Sequence, residues 1–91
     1  MTVEVRIPTV FQSYTGGRTS VDAHGVTLAE VLADLENHHP GLRARVVTDD
    51  GALRRFVNIY VNDDDVRFSG DMETVLHDGD SVMILPAVAG G

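Results

Sequence analysis

The group in this 91-residue chain best suited to chemistry is the carboxylate that ends Ala87-Val88-Ala89-Gly90-Gly91. A terminal glycine has no Cβ beside its carboxylate, and paired glycines take backbone angles closed to other residues. Such a segment can thread a narrow slot, as a C-terminus must if another enzyme is to grip and modify it. The same residues read equally well as an incidental chain end, because termini tolerate small residues. The body of the chain has to decide between the two.

No other constellation competes. The chain has no cysteine, which excludes disulfides, zinc–thiolate sites and thiol nucleophiles. His24, His38, His39 and His77 are scattered, and the adjacent His38 and His39 would point to different sides of a helix. Asp63-Asp64-Asp65 resembles a fragment of a calcium loop but lacks its glycine and distal glutamate, so it reads as a polar turn. No glycine-flanked nucleophile is present, and Gly16-Gly17 lacks the Lys-Ser/Thr of a phosphate loop. We expect no internal catalytic residue, no metal and no bound cofactor, with the chemistry confined to Gly91.

The bulk properties narrow the class. Ninety-one residues make one domain; we divide them into a body, 1–86, and a tail, 87–91. The hydrophobic fraction of 43% and charged fraction of 23% are those of a soluble globular protein. No apolar run approaches the ~20 residues that span a bilayer, and Met1-Thr2-Val3-Glu4-Val5 has no signal-peptide pattern. The expected location is cytoplasmic. A net charge of −7 disfavours nucleic acid and anionic membranes as partners and suits a basic protein surface. All seven basic residues are arginine. Codon usage in a GC-rich genome accounts for that as well as function does. The consequence holds either way: no side-chain amine can attack an activated C-terminus or accept an isopeptide bond.

The elements that must position the tail follow from periodicity. Thr2 to Val10 alternates, with Val3, Val5 and Ile7 on one face, and predicts a strand. Thr15-Gly16-Gly17 turns the chain into a second strand over Arg18 to Ala23, completing a long-looped hairpin. Thr27-Leu28-Ala29-Glu30 is a capping box, and Leu28, Val31, Leu32 and Leu35 form one helical stripe that Pro40-Gly41 ends. Leu42 to Arg55 reads as an irregular connection with room for one short helical turn. Phe56 to Val61 is the strongest strand, followed by a turn at Asn62–Asp65 and a short return strand at Val66-Arg67-Phe68. Asp71 to Leu76 has room for one helical turn, and Ser81 to Leu85 is the last strand. One helix across a mixed four- or five-stranded sheet is an α+β architecture in the order of the ubiquitin-like β-grasp.

A single helix covers one sheet face. With Val57, Ile59, Val82 and Ile84 turned toward it, Phe56, Tyr60, Met83 and Leu85 point outward beside the tail, a candidate docking surface framed by Arg54, Arg55 and Arg67. The alternatives are that segment 42–55 folds over this face, or that the arginines are simply solvated. From Leu85 the six remaining residues extend to about 20 Å, enough to enter a partner's active site while the body stays outside.

Phe56-Val57-Asn58-Ile59-Tyr60-Val61-Asn62-Asp63, Asp65-Val66-Arg67-Phe68, Asp78-Gly79-Asp80 and Ile84-Leu85-Pro86-Ala87-Val88-Ala89-Gly90-Gly91 together resemble the MoaD/ThiS-type sulfur carriers. Val5-Arg6-Ile7-Pro8-Thr9 and Thr15-Gly16-Gly17 extend the resemblance over nearly the whole chain, and the Pro-Ala-Val-Ala-Gly-Gly ending is similar to the CysO-type carriers of cysteine biosynthesis. The resemblance implies a non-enzyme. An adenylating enzyme similar to ubiquitin-activating enzymes would consume ATP to place AMP on Gly91, and a sulfur donor would displace it to leave a thiocarboxylate. Gly90, Ala89, Val88 and Ala87 would thread the partner's active site. The implied acceptor is a pyridoxal-phosphate-dependent cysteine synthase acting on activated serine, with a metalloprotease releasing product. Carriers for molybdopterin, thiazole or another sulfur-containing metabolite, a ubiquitin-like protein modifier, and a passive interaction domain remain the alternatives.

Overall fold

The structure, a computed structural model, describes residues 2–86. Its strands are β1 (Thr2–Arg6), β2 (Ser20–His24), β3 (Val57–Val61), β4 (Asp64–Asp65) and β5 (Ser81–Pro86), with helices α1 (Leu28–His38) and α2 (Leu42–Val46) between β2 and β3. They form one five-stranded sheet in the order β2-β1-β5-β3-β4. β5 runs parallel to β1 and antiparallel to β3, so the sheet is mixed and the last strand lies in its centre. This is the expected β-grasp.

Alternation builds the core. Val3 and Val5 of β1, Val21 and Ala23 of β2, Val57 and Ile59 of β3, and Val82 and Ile84 of β5 are all buried on one face. Leu28, Val31, Leu32 and Leu35 of α1 meet them. Each such fully buried aliphatic side chain contributes about 1.5–3 kcal/mol. The capping box forms: the Thr27 hydroxyl accepts from the Glu30 N–H (3.3 Å), and the Glu30 carboxylate reaches back one residue further, to the Val26 N–H (3.1 Å). Gly25 is packed so closely that a Cβ there would lie 2.8 Å from both Glu30 Cβ and the Val31 nitrogen.

Two segments depart from the sequence expectation, and a third, the connection after α1, carries the short helical turn for which it had room. β1 ends at Arg6 rather than Val10, and Thr9–Thr15 is a 3₁₀ helix ended by a left-handed Gly16. Val10, out of phase with the inward Val3, Val5 and Ile7, lies exposed on this turn. The connection after α1 contains a true helix, α2, whose Leu42 and Val46, with Val47, join the same core as α1. This part of segment 42–55 thus fills the helix side of the sheet. The Glu36 carboxylate ties the two helices by accepting from the Gly41 and Arg43 N–H groups. Finally, the return strand is only Asp64–Asp65, and Val66–Phe68 is a 3₁₀ turn. Asn62 and Asp63 both have positive φ, as a two-residue type I′ hairpin turn requires. The Asp65 carboxylate then accepts from the Arg67 N–H (2.9 Å), a local bond that curls the chain away from β3.

Candidate functional site

β5 delivers the tail, so its two ends define the site. The Ser81 end is fastened by side chains. Asp80 accepts from Asn62 Nδ2 (2.9 Å) and from the His77 N–H (2.8 Å). Asn62 Oδ1 accepts from the Ser81 N–H (3.0 Å), so one asparagine side chain bonds both Asp80 and the first residue of β5. Asp78 accepts from the Thr2 N–H (2.9 Å), and the Thr2 carbonyl accepts from the Gly79 N–H (2.8 Å), which binds the same turn to β1. The bond from Asn62 holds the Asp80 carboxyl below its ordinary value of 3.8, helped by the His77 N–H and opposed by burial. Asp78-Gly79-Asp80 is thus structural turn chemistry. Asn62 was legible from sequence only as a turn former, and its double bond needed the β3–β5 register to be seen.

The Pro86 end is different. Asn58 stands opposite Leu85 and Val57 opposite Pro86, the last described residue. Ala87, Val88, Ala89, Gly90 and Gly91, the expected threading and modified residues, lie outside the described residues.

The outward face carries the apolar side chains that alternation placed there. Tyr60 and Met83 are directly opposite each other and half-buried, whereas Leu85 is 41% and Phe56 54% exposed. Phe56 sits in the turn just before β3 rather than within it. Beside Met83 and Leu85 a shallow cleft of about 230 Å³ runs along Arg6, Ile7, Pro8 and Thr19. β5 therefore ends, at Pro86, beside a partly exposed apolar face.

The three arginines are not equivalent. Arg55 lies over the Phe56 ring at 5.6 Å from its centroid and extends the exposed patch. The Arg54 Nε donates to the Ala44 carbonyl (2.8 Å). Arg67 is committed to the body: Nη1 donates to Asn58 Oδ1 (2.7 Å), and Nη2 to the carbonyls of Val57 (2.8 Å) and Arg54 (3.0 Å).

The histidines are not all scattered: His24, His38 and His39 line one cleft with Asp22 and Asp34, and only His77 lies elsewhere. His38 caps its own helix through the Asp34 carbonyl (3.0 Å), and His77 sits 3.8 Å from Asp80 in the β5 turn. Among the described residues no group of three or more His, Asp or Glu is arranged to hold a metal ion, and no helix is long and apolar enough to cross a membrane.

The fold is shared with known proteins. The chain is 56% identical to the sulfur carrier protein CysO of Mycobacterium tuberculosis, over the full length of both. A chain in the crystal structure of the Amycolatopsis orientalis BexX/CysO complex superposes with a TM-score of 0.93 at 53% identity, covering 98% of this chain and 99% of that one. The crystal structure of M. tuberculosis CysO gives 0.91 at 55% identity, covering 94% and 99%. The ThiS family matches residues 5–91, and the chain belongs to that family.

Proposed function

We propose that this ThiS-family sulfur carrier holds its cargo on the Gly91 carboxylate. A partner enzyme of the ubiquitin-activating type transfers AMP from ATP to that carboxylate, releasing pyrophosphate. A sulfide donor attacks the resulting mixed anhydride, AMP leaves, and Gly91 carries a thiocarboxylate whose sulfur is the nucleophile. The chain supplies no catalytic group and binds no cofactor of its own. Its outward face, with Phe56, Tyr60, Met83, Leu85 and Arg55, docks on the partner, while residues 87–91 reach the active site.

The observation that supports this reading most is the match to carriers across the whole chain, tail included, at 56% identity. The central position of β5 adds a physical reason: a strand paired on both sides is a firm mount for a reactive terminus. We take cysteine biosynthesis as the route, after the name of those relatives, with a pyridoxal-phosphate-dependent synthase as acceptor, a metalloprotease releasing product, and the reactions taking place in the cytoplasm. The relative found in a BexX/CysO complex supports a protein partner for this one.

The test is pyrophosphate release by the cognate activating enzyme. It should require the chain and ATP together, and the sulfide-treated product should pass sulfur to activated serine when the synthase is added. Release that proceeds without the chain would contradict the proposal, and transfer only to a pterin or thiazole acceptor would redirect the pathway.

A further inference from the structure

We propose that Arg67 is a positioning residue for the reaction at Gly91: its guanidinium stands in for a missing edge strand and fixes the point at which the tail leaves the sheet. This rests on the carrier reading above.

β4 pairs only with Tyr60 and Val61. The first half of β3, Val57 and Asn58, therefore has β5 on one side and, among the described residues, no strand on the other. Yet it is this half that pairs with Leu85 and Pro86, the last residues before the tail. An edge left bare at that point would let the end of β3 fray, and β5 would fray with it.

Arg67 occupies the gap. The Asp65–Arg67 turn ends β4 after two residues and brings the Arg67 side chain against the β3 edge. The planar guanidinium places its two terminal nitrogens side by side. One bonds the Asn58 side chain and the other the Val57 carbonyl, the two residues opposite Leu85 and Pro86. The second nitrogen also holds the Arg54 carbonyl, which anchors the turn leading into β3. A lysine has one nitrogen and cannot span these acceptors in the same plane.

The functional consequence follows from effective concentration. Five residues separate Pro86 from the Gly91 carboxylate. Releasing Leu85 and Pro86 from the sheet adds two residues to the stretch of chain between the sheet and the Gly91 carboxylate. That lowers the local concentration of the carboxylate at a docked partner's active site and adds backbone freedom that insertion must remove. The loss falls on the step after docking.

Three full-length chains test this: wild type, Arg67→Met and Arg67→Lys. Two readouts are taken, amide hydrogen exchange at Leu85 and the dependence of adenylation rate on carrier concentration. Arg67→Met should speed Leu85 exchange roughly tenfold relative to Val5 in the neighbouring strand, as expected for local opening. It should lower kcat about three- to tenfold with KM nearly unchanged, the outcome of a weakened intramolecular step. Arg67→Lys should lie between. If Arg67→Met does not fold, Asn58→Ala removes one of the three acceptors and should shift both readouts in the same direction by less. A rise in KM at constant kcat would make Arg67 a docking residue and overturn the proposal. So would unchanged Leu85 exchange, or a lowered Tm with unchanged kcat and KM. If wild type itself is not adenylated, the carrier reading fails, while the exchange measurement still decides whether Arg67 buttresses the strand end.

Discussion

The two ends of β5 are built on opposite plans. At Ser81 the strand is held by a network of side-chain bonds from Asn62, Asp78 and Asp80. At Pro86 it has apolar neighbours open to solvent and a single arginine securing the strand beside it. The contrast separates two jobs within six residues. One end fixes the register of the strand, and the other, on the function proposed above, presents a reactive chain to a second protein. A terminus that has to enter a foreign active site needs a rigid origin and a free surface around it, and the strand supplies both along its length.

The contrast is broken most completely at the middle. Ile84→Ala empties a site that is 1% exposed and should cost about 2–5 kcal/mol, read as a lowered urea midpoint with little change in slope. Both ends of β5 then loosen together.

Asp80→Ala attacks the fastened end alone. It removes the acceptor of Asn62 Nδ2 and the His77 N–H, both at the surface and able to turn to water, so unfolding should show a loss of about 0.5–1.5 kcal/mol near neutral pH. The pH dependence sharpens the assignment. Because the folded Asp80 carboxyl is held below 3.8, its contribution is complete above that value and is lost as pH falls through the lower folded pKa. Protonated Asp80 resembles asparagine, so the stability difference between wild type and Asp80→Asn should be largest above pH 5 and shrink in acid. A difference that stays constant down to pH 2 would remove the carboxylate from this role.

The exposed end should respond in the opposite sense. Leu85→Gln should change stability by no more than about 0.5 kcal/mol, as is usual for surface positions, yet raise the KM for the activating enzyme several-fold. A large loss of stability with unchanged KM would show that Leu85 serves the fold and not the docking face.

Sequence made the fastened framework more legible than the exposed one. Val57, Ile59, Val82 and Ile84 announced β3 and β5 because burial on one face enforces a period of two. Thr27 and Glu30 marked the start of α1 because unpaired helical N–H groups need acceptors. Local side-chain bonds were harder to foresee. The Asp65 carboxylate overrides the alternation of Val66-Arg67-Phe68, burying Val66 and leaving Phe68 91% exposed. Thr9–Thr15 hides a 3₁₀ helix because Val10 and Phe11 are strand-favouring residue types, although Val10 is out of phase with Val3, Val5 and Ile7. At the site, the outward placement of Tyr60, Met83 and Leu85 followed from alternation, but the role of Arg67 did not. A lone arginine in a polar segment looks like a surface cation until the pairing shows which carbonyls lack a strand.

The central claim is that Gly91 is the site of chemistry, and an intact-mass measurement tests it directly. The full chain and a variant lacking Gly91 are each incubated with ATP, a sulfide donor and the cognate activating enzyme. The full chain should gain the mass of one oxygen replaced by sulfur, with fragmentation placing the change on the terminal residue, and the truncated chain should stay unchanged. No exchange in the full chain, or exchange that persists after Gly91 is removed, would contradict the account.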